Sequence, residues 1–148
     1  MIHSQNDRVI GDLSAAAVGA TATSTLVIDT LGYDHASITV MRASNASTVF
    51  ANALKVEESD AASTGYSDVT GLVMGAASGF TVPAISAAGT AATSVVKLDV
   101  DTKARKRYLR VAYTPGASAN IAITGRLSRA ETSPENASQA GSLAWVRG

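Results

Sequence analysis

The amino-acid sequence predicts an all-β protein in which about seven or eight short strands pack as a β-sandwich. Three observations lead to this fold class. Apolar and polar residues alternate with a period of two in several short runs. Clusters of Gly, Pro, Asn, Asp and Ser separate these runs. No apolar set recurs at the spacing of an amphipathic helix.

The strands are predicted where apolar residues share one parity. These runs cover residues 25–29, 36–41, 48–57, 66–72, 94–99, 107–114 and 120–129. The clearest run places Leu109, Val111 and Tyr113 on one face of a strand. A Pro115-Gly116 turn follows it, so residues 108–127 are predicted to form a hairpin. Jelly-roll and immunoglobulin-like connections are both open, and a jelly roll is the leading prediction.

Segments of weak periodicity set the domain boundaries. Residues 1–23 are predicted to be an N-terminal arm, 24–129 the sandwich, and 130–148 a C-terminal tail. Within the arm, residues 8–13 form a short strand or lie along a neighbouring molecule. Residues 73–93 mix glycines with short apolar pairs, which is typical of a functional or interaction loop.

Composition limits the classes of partner. Charged residues make up 16% of the 148 residues and the formal net charge is zero, so we expect no nucleic-acid partner. No apolar run approaches the roughly 18 residues needed to span a bilayer, and no membrane partner is expected. Cysteine is absent, which excludes disulfides and thiol chemistry. Aromatic residues make up 5%, so aliphatic side chains must build the core.

Three groups of side chains carry chemical functionality. His35 could join a Ser-His-Asp set, but serine is too common for that assembly to be informative. The acidic run 57–60 lacks the spacing of a calcium loop and is interpreted as a solvated loop. The basic run 103–107 lies beside acids, which favours a charge-paired loop or a contact to another protein. We therefore predict no catalytic residue, cofactor site or metal site, and no enzyme activity.

Five segments carry a resemblance to a known family. They are residues 26–33 (LVIDTLGY), 54–60 (LKVEESD), 63–69 (STGYSDV), 106–111 (KRYLRV) and 121–125 (IAITG). Together they resemble recurring units of small tailed-phage virion proteins, which include the capsid cement, or decoration, proteins. The resemblance implies a jelly-roll sandwich on the virion capsid exterior, bound to the major capsid protein and often dimeric or trimeric.

A structural role of this kind requires surfaces that bind other protein. We hypothesise that the arm and the tail extend onto the shell or onto sister copies, where apolar side chains become buried. The predicted protein-interface residues are Ile10, Leu13, Leu143, Trp145 and Val146. The lone tryptophan is expected to dock on its own domain or on a neighbour. The alternatives are a neck, tail or head-fibre component of the virion, or a surface-binding β-sandwich module.

Overall fold

The computed structural model describes residues 6–85 and 94–146, which contain eight β-strands and no α-helix. In chain order the strands are β1 (Arg8–Leu13), β2 (Ser24–Asp29), β3 (Tyr33–Arg42), β4 (Ala51–Ser59), β5 (Ser67–Val73), β6 (Ser94–Asp101), β7 (Tyr108–Pro115) and β8 (Ile121–Ala130). They form two four-stranded sheets, here sheet 1 in the order β1-β8-β3-β6 and sheet 2 in the order β2-β7-β4-β5.

Every strand pairing is antiparallel, and the pairings are nested along the chain. The first strand pairs with the last, the second with the seventh, the third with the sixth and the fourth with the fifth. The prediction of an all-β sandwich is confirmed. The finer prediction of a jelly roll, in which eight strands form two Greek keys, stays a prediction.

The core lies between the sheets and follows the alternation read from the sequence. Leu109, Val111 and Tyr113 are fully buried on the inner face of β7, as predicted. Ile38 and Val40 on β3 face them from sheet 1 with no exposed surface. Aliphatic side chains supply most of this core, as the low aromatic content requires.

One interruption of the alternation has a local cause. Asn52 breaks the parity that Phe50 shares with Leu54, and the pairing of β4 with β7 shifts register between Ala51 and Ala53. The shift marks a β-bulge, which places an extra residue on one strand. Asn52 is exposed there, and its amide Nδ2 donates to the Ala20 carbonyl at 2.9 Å.

The predicted hairpin of residues 108–127 is wrong. β7 lies in sheet 2 and β8 in sheet 1, so the chain crosses between the sheets after Pro115. A turn sequence shows that the chain reverses, but it does not show whether the next strand continues the same sheet. Gly116 is required in this crossing because a Cβ there would lie 2.1 Å from the Val49 carbonyl oxygen.

The N-terminal segment and the tail both pack on the sandwich. Residues 8–13, assigned from the sequence to an arm, form β1 and pair with β8. The Val9 amide donates to the Ala140 carbonyl at 2.9 Å, which joins the tail to the outer edge of β1. Gly141 has a φ of 72°, and a Cβ at this position would lie 1.9 Å from the Val9 carbonyl oxygen. Only glycine permits this close approach.

The irregular segment after β5 packs against the core. Met74 and Phe80 form an isolated bridge, and the Ile85 amide donates to the Thr48 carbonyl at 2.8 Å. Apolar side chains of residues 74–85 are partly buried against the core. The second part of the predicted interaction loop, residues 86–93, lies outside the described residues.

Candidate protein-interaction surface

An apolar row crosses the outer face of sheet 1. The strand registers place Leu13 opposite Ala122, Ala122 opposite Met41, and Met41 opposite Val95. Each of the four strands therefore contributes one apolar side chain, and directly opposite residues point to the same face of a sheet. We call these four residues the apolar row.

The two ends of the apolar row are the most exposed. Leu13 on β1 is 73% exposed and Val95 on β6 is 55% exposed, while Met41 and Ala122 between them are half-buried. Large apolar side chains at both edges of one sheet are available to an incoming protein surface. Burial of such a side chain contributes about 1.5–3 kcal/mol.

The tail supplies a second apolar surface, held beside β1 by the Val9–Ala140 hydrogen bond. Leu143 and Val146 are almost completely exposed. Trp145 between them is half-buried. We call residues 8–13 with residues 136–146 the β1–tail edge.

The predicted interface residues thus fall into two groups. Leu13, Leu143 and Val146 are exposed on the β1–tail edge. Ile10 is half-buried and packs against the core, and Trp145 is half-buried. The exposed group is accessible to another molecule, and the assignment of all five residues to an interface stays a prediction.

Polar groups occupy the other half of the outer face of sheet 1. Arg126 pairs with Asp7, and the Lys97 ammonium lies 2.9 Å from Asp99. The Lys97 ammonium lowers the pKa of the Asp99 carboxyl. These residues border an open depression of about 800 Å³. The outer face therefore presents an apolar row beside a band of paired charges.

His35 lies in that band between a serine and an aspartate. Its Nδ1 is 3.3 Å from the Ser128 hydroxyl oxygen, and its Nε2 is 3.7 Å from Asp99 Oδ1. A distance of 3.7 Å exceeds that of a hydrogen bond, so Asp99 does not orient the imidazole as in a serine-hydrolase triad. The three residues therefore form a polar group on the outer face of sheet 1.

Charge on the outer face of sheet 2 is neutralised by close pairs. The Arg110 guanidinium donates to the Glu57 carboxylate at 2.7 Å, which lowers the pKa of Glu57. The Lys55 ammonium lies 2.8 Å from Asp68 and 2.9 Å from Glu57, and these hydrogen bonds raise the pKa of Lys55. The Tyr66 ring lies 4.0 Å from the Arg110 guanidinium carbon. This face therefore presents a network with little unbalanced charge.

The basic run that precedes β7 is paired in the same way. Its cations and their carboxylate partners are Lys103 with Asp34, Arg105 with Glu58, Lys106 with Asp60, and Arg107 with Asp29. The two hydrogen bonds from Arg107 lower the pKa of Asp29. The structure thus contains a charge-paired loop, one of the two alternatives that the sequence favours. Glu58 and Asp60 of the acidic run supply two of the four carboxylate partners.

The described residues contain neither a metal-binding cluster nor a membrane-spanning helix. Across residues 6–85 and 94–146, no group of three or more His, Asp or Glu side chains is arranged to hold a metal ion. No helix in the described part of the chain is long and apolar enough to cross a bilayer.

No protein-family model matches the chain, and no curated protein matches it. Among solved structures, a chain from Bacillus endospore appendages, described as a novel family of disulfide-linked pili, is similar with a TM-score of 0.29. The match has 13% identity and covers 82% of this chain and 89% of that chain. A likeness at this TM-score carries no argument about fold or function.

The apolar row was not anticipated from the sequence. Parity places Met41 on the outer face of its strand, but parity does not show which residues of other strands lie beside it. The row depends on the pairing of β1 with β8 and of β8 with β3, and those pairings join distant parts of the chain. The apolar row could have been predicted by assuming the nested strand order, because that order pairs β1 with β8 and β8 with β3.

Proposed function

We propose that this chain is a non-enzymatic structural protein of a phage virion, a cement protein that binds the outer surface of the major capsid shell and stabilises it. The observation that carries the proposal is the exposed apolar surface of the apolar row and the β1–tail edge. Exposed leucine and valine side chains at both ends of a rigid sheet, beside an apolar tail, suit attachment to other protein.

The partner is proposed from the sequence. The resemblance of segments within residues 26–125 to capsid cement proteins supports a shell protein as the bound surface. The net charge of zero and the paired charges on both sheets suit close packing against protein. Each attachment can be weak, because many symmetry-related copies on one shell act together.

The first experiment measures binding of the purified protein to shells that lack it. A triple variant Leu13→Ser, Leu143→Ser, Val146→Ser removes the exposed apolar groups of the β1–tail edge and should weaken binding at least about tenfold. The matched control Val27→Ser, Leu31→Ser, Val49→Ser removes exposed apolar groups elsewhere and should bind within about twofold of the natural chain.

The shell-binding experiment can contradict either the role of the β1–tail edge or the cement function. Equal binding by the triple variant and the natural chain contradicts the role of the β1–tail edge. No binding of the natural chain to any shell contradicts the cement function itself. Circular dichroism of each variant checks that the sandwich is intact.

Copy number separates cement from other virion roles. Quantitative mass spectrometry of purified virions gives the ratio of this chain to the major capsid protein. A ratio near one, or a simple fraction such as about one third, is expected for a protein that covers a symmetric shell. A handful of copies per virion indicates a neck, tail or head-fibre component, and complete absence contradicts a virion role.

A further inference from the structure

β6 is an edge strand of sheet 1. It pairs with β3 on one side, and within the described chain it is the last strand of the sheet. Next to it lies an open depression of about 460 Å³, bordered by residues 95–99 and by residues 80–83. An edge strand of this kind presents backbone donors and acceptors that can pair with another strand.

The residues of β6 alternate between the two faces of sheet 1. Lys97 and Asp99 are exposed on the outer face, and Leu98 and Val100 are buried on the inner face. Val96, on the inner face, packs partly against the core. The strand therefore has one charged stripe and one apolar stripe.

The central five residues of β6 are complementary to themselves when the strand is reversed. If two copies pair antiparallel about Leu98, Lys97 of one copy lies opposite Asp99 of the other, and the second such pair follows by symmetry. Leu98 then lies opposite Leu98, and Val96 opposite Val100. Opposite charges and apolar pairs directly across an antiparallel ladder are both favourable.

Neighbouring registers are unfavourable. Centring the pair on Lys97 or on Asp99 places two like charges directly opposite each other, which is destabilising. If one strand is displaced by a single residue from the register centred on Leu98, Lys97 of one copy lies opposite Leu98 of the other. Charged residues then face buried apolar residues. Pairing about Leu98 is the register that joins unlike charges and keeps the apolar stripe on the inner face.

We propose that two copies of this chain associate through β6, forming one continuous antiparallel sheet of eight strands across a two-fold axis. The interface is isologous, since the same strand serves both partners. Lys97 and Asp99 of the two copies form a square of four alternating charges. The Lys97–Asp99 contact of 2.9 Å within each chain is compatible with this square. The proposal concerns self-association and does not depend on the proposed cement function.

Charge variants of the full chain test the pairing. Within residues 96–100, Lys97→Asp leaves two acids and no base, and Asp99→Lys leaves two bases and no acid. Each variant alone should dimerise at least about tenfold more weakly than the natural chain, and an equimolar mixture should form the mixed dimer. Analytical ultracentrifugation measures the dissociation constant, which is expected below about 100 µM for the natural chain.

Arg129→Asp is the matched control. It reverses an exposed charge on β8, which does not adjoin β6, so its dissociation constant should equal that of the natural chain. Repulsion within one chain would weaken both single variants but would not be relieved by mixing. Formation of the mixed dimer is therefore specific to pairing between copies.

Cysteine cross-linking tests the register, because the chain contains no cysteine. A mixture of Lys97→Cys and Asp99→Cys chains should form a disulfide-linked dimer on mild oxidation, since the two positions lie directly opposite. Lys97→Cys alone places its two sulfurs on a diagonal and should link much less.

Three results would overturn the proposal. They are a natural chain that stays monomeric at about 1 mM, a mixture of charge variants that stays monomeric, and efficient linking of the Lys97→Cys chain with itself. None of these results bears on shell binding, so failure here is distinct from failure of the proposed function.

Discussion

At the scale of single residues, two polar side chains are held in the core by hydrogen bonds to the backbone. The Tyr113 hydroxyl donates to the Phe50 carbonyl at 2.8 Å. The buried Arg42 guanidinium donates to the Val49 carbonyl at 2.7 Å and to the Ser47 carbonyl at 3.0 Å. A buried polar group is tolerated when such partners replace water. Both side chains therefore tie the loop before β4 to the core.

Replacing Tyr113 by phenylalanine should destabilise the fold by about 1 kcal/mol, because one buried hydrogen bond is lost. The loss of unfolding free energy is modest, because the Phe50 carbonyl still accepts a hydrogen bond from the Gly116 amide at 3.3 Å. Burial raises the pKa of Tyr113 to about 12, from its ordinary value of 10. The natural chain should therefore lose stability between pH 10 and 12, where the unfolded state ionises first.

Urea unfolding of Tyr113→Phe and the natural chain, compared across this pH range, checks the prediction. The difference in unfolding free energy should shrink above pH 10, because phenylalanine does not ionise. A difference that stays constant to pH 12 would show that the hydroxyl titrates normally.

Replacing Arg42 by lysine should cost about 1–3 kcal/mol of unfolding free energy. Lysine keeps the charge, but its single ammonium cannot reproduce the two-pronged donation to Val49 and Ser47. Thermal or urea denaturation measures the loss. Arg42→Met, which removes charge and hydrogen bonds together, is the comparison. A lysine variant as stable as the natural chain would contradict the importance of the guanidinium geometry.

Residue parity was predictable from the sequence wherever the inward residues are aliphatic. Ala36, Ile38 and Val40 on β3 alternate as expected, and all three are buried. Arg42 has the same parity and is buried too, but its charge conceals the inward position from a hydrophobic pattern. The carbonyls that accept hydrogen bonds from its two terminal nitrogens belong to a loop whose course is not encoded in local alternation.

At the scale of elements, the sequence indicates where strands lie and leaves their partners open. Alternation located the strands to within a few residues, and the pairing of β7 with β2 and β4 could not be deduced from it. Pairing depends on contacts between residues far apart in the chain. The sequence predicts that Trp145 of the tail docks on its own domain or on a neighbour. It does not indicate β1 as the place of docking, which rests on backbone contacts of Ala140 and Gly141.

Replacing Gly141 by alanine should release the tail from β1 while the sandwich stays folded. The positive φ and the 1.9 Å approach to the Val9 carbonyl oxygen leave no room for a Cβ. Hydrogen exchange of the Val9 amide should accelerate, and protease should cut the tail faster. Gly19→Ala is the control, because a Cβ there meets nothing within 4 Å. Unchanged protection of Val9 would contradict the docking.

At the scale of the whole molecule, the paired charges set the pH range of stability. Ion pairs and hydrogen bonds to Arg107, Arg110 and Lys97 lower the pKa values of Asp29, Glu57 and Asp99, respectively. A carboxyl whose pKa is lowered by folding stabilises the native state above its unfolded pKa of about 4, and that stability is lost as pH falls further. The chain should therefore weaken progressively below about pH 4.

Urea unfolding between pH 7 and pH 2 measures this loss. Glu57→Gln should be less stable than the natural chain at pH 7, since Arg110 loses its charged partner, and the two should converge at pH 2. Tyr66→Leu tests whether the ring beside Arg110 contributes separately, because it leaves the carboxyl intact. Equal acid sensitivity of Glu57→Gln and the natural chain would contradict the role of this pair.

The pairing of the first strand with the last has a consequence for synthesis on the ribosome. β1 is translated before the other seven strands, yet its partner β8 begins at Ile121, so sheet 1 cannot close until β8 has been translated. Until then β1 lacks the strand with which it pairs, and long-range antiparallel pairing of this kind is slow. A nascent chain stalled before β8 should therefore remain protease-sensitive, and the fold should appear only after the final strand has left the exit tunnel.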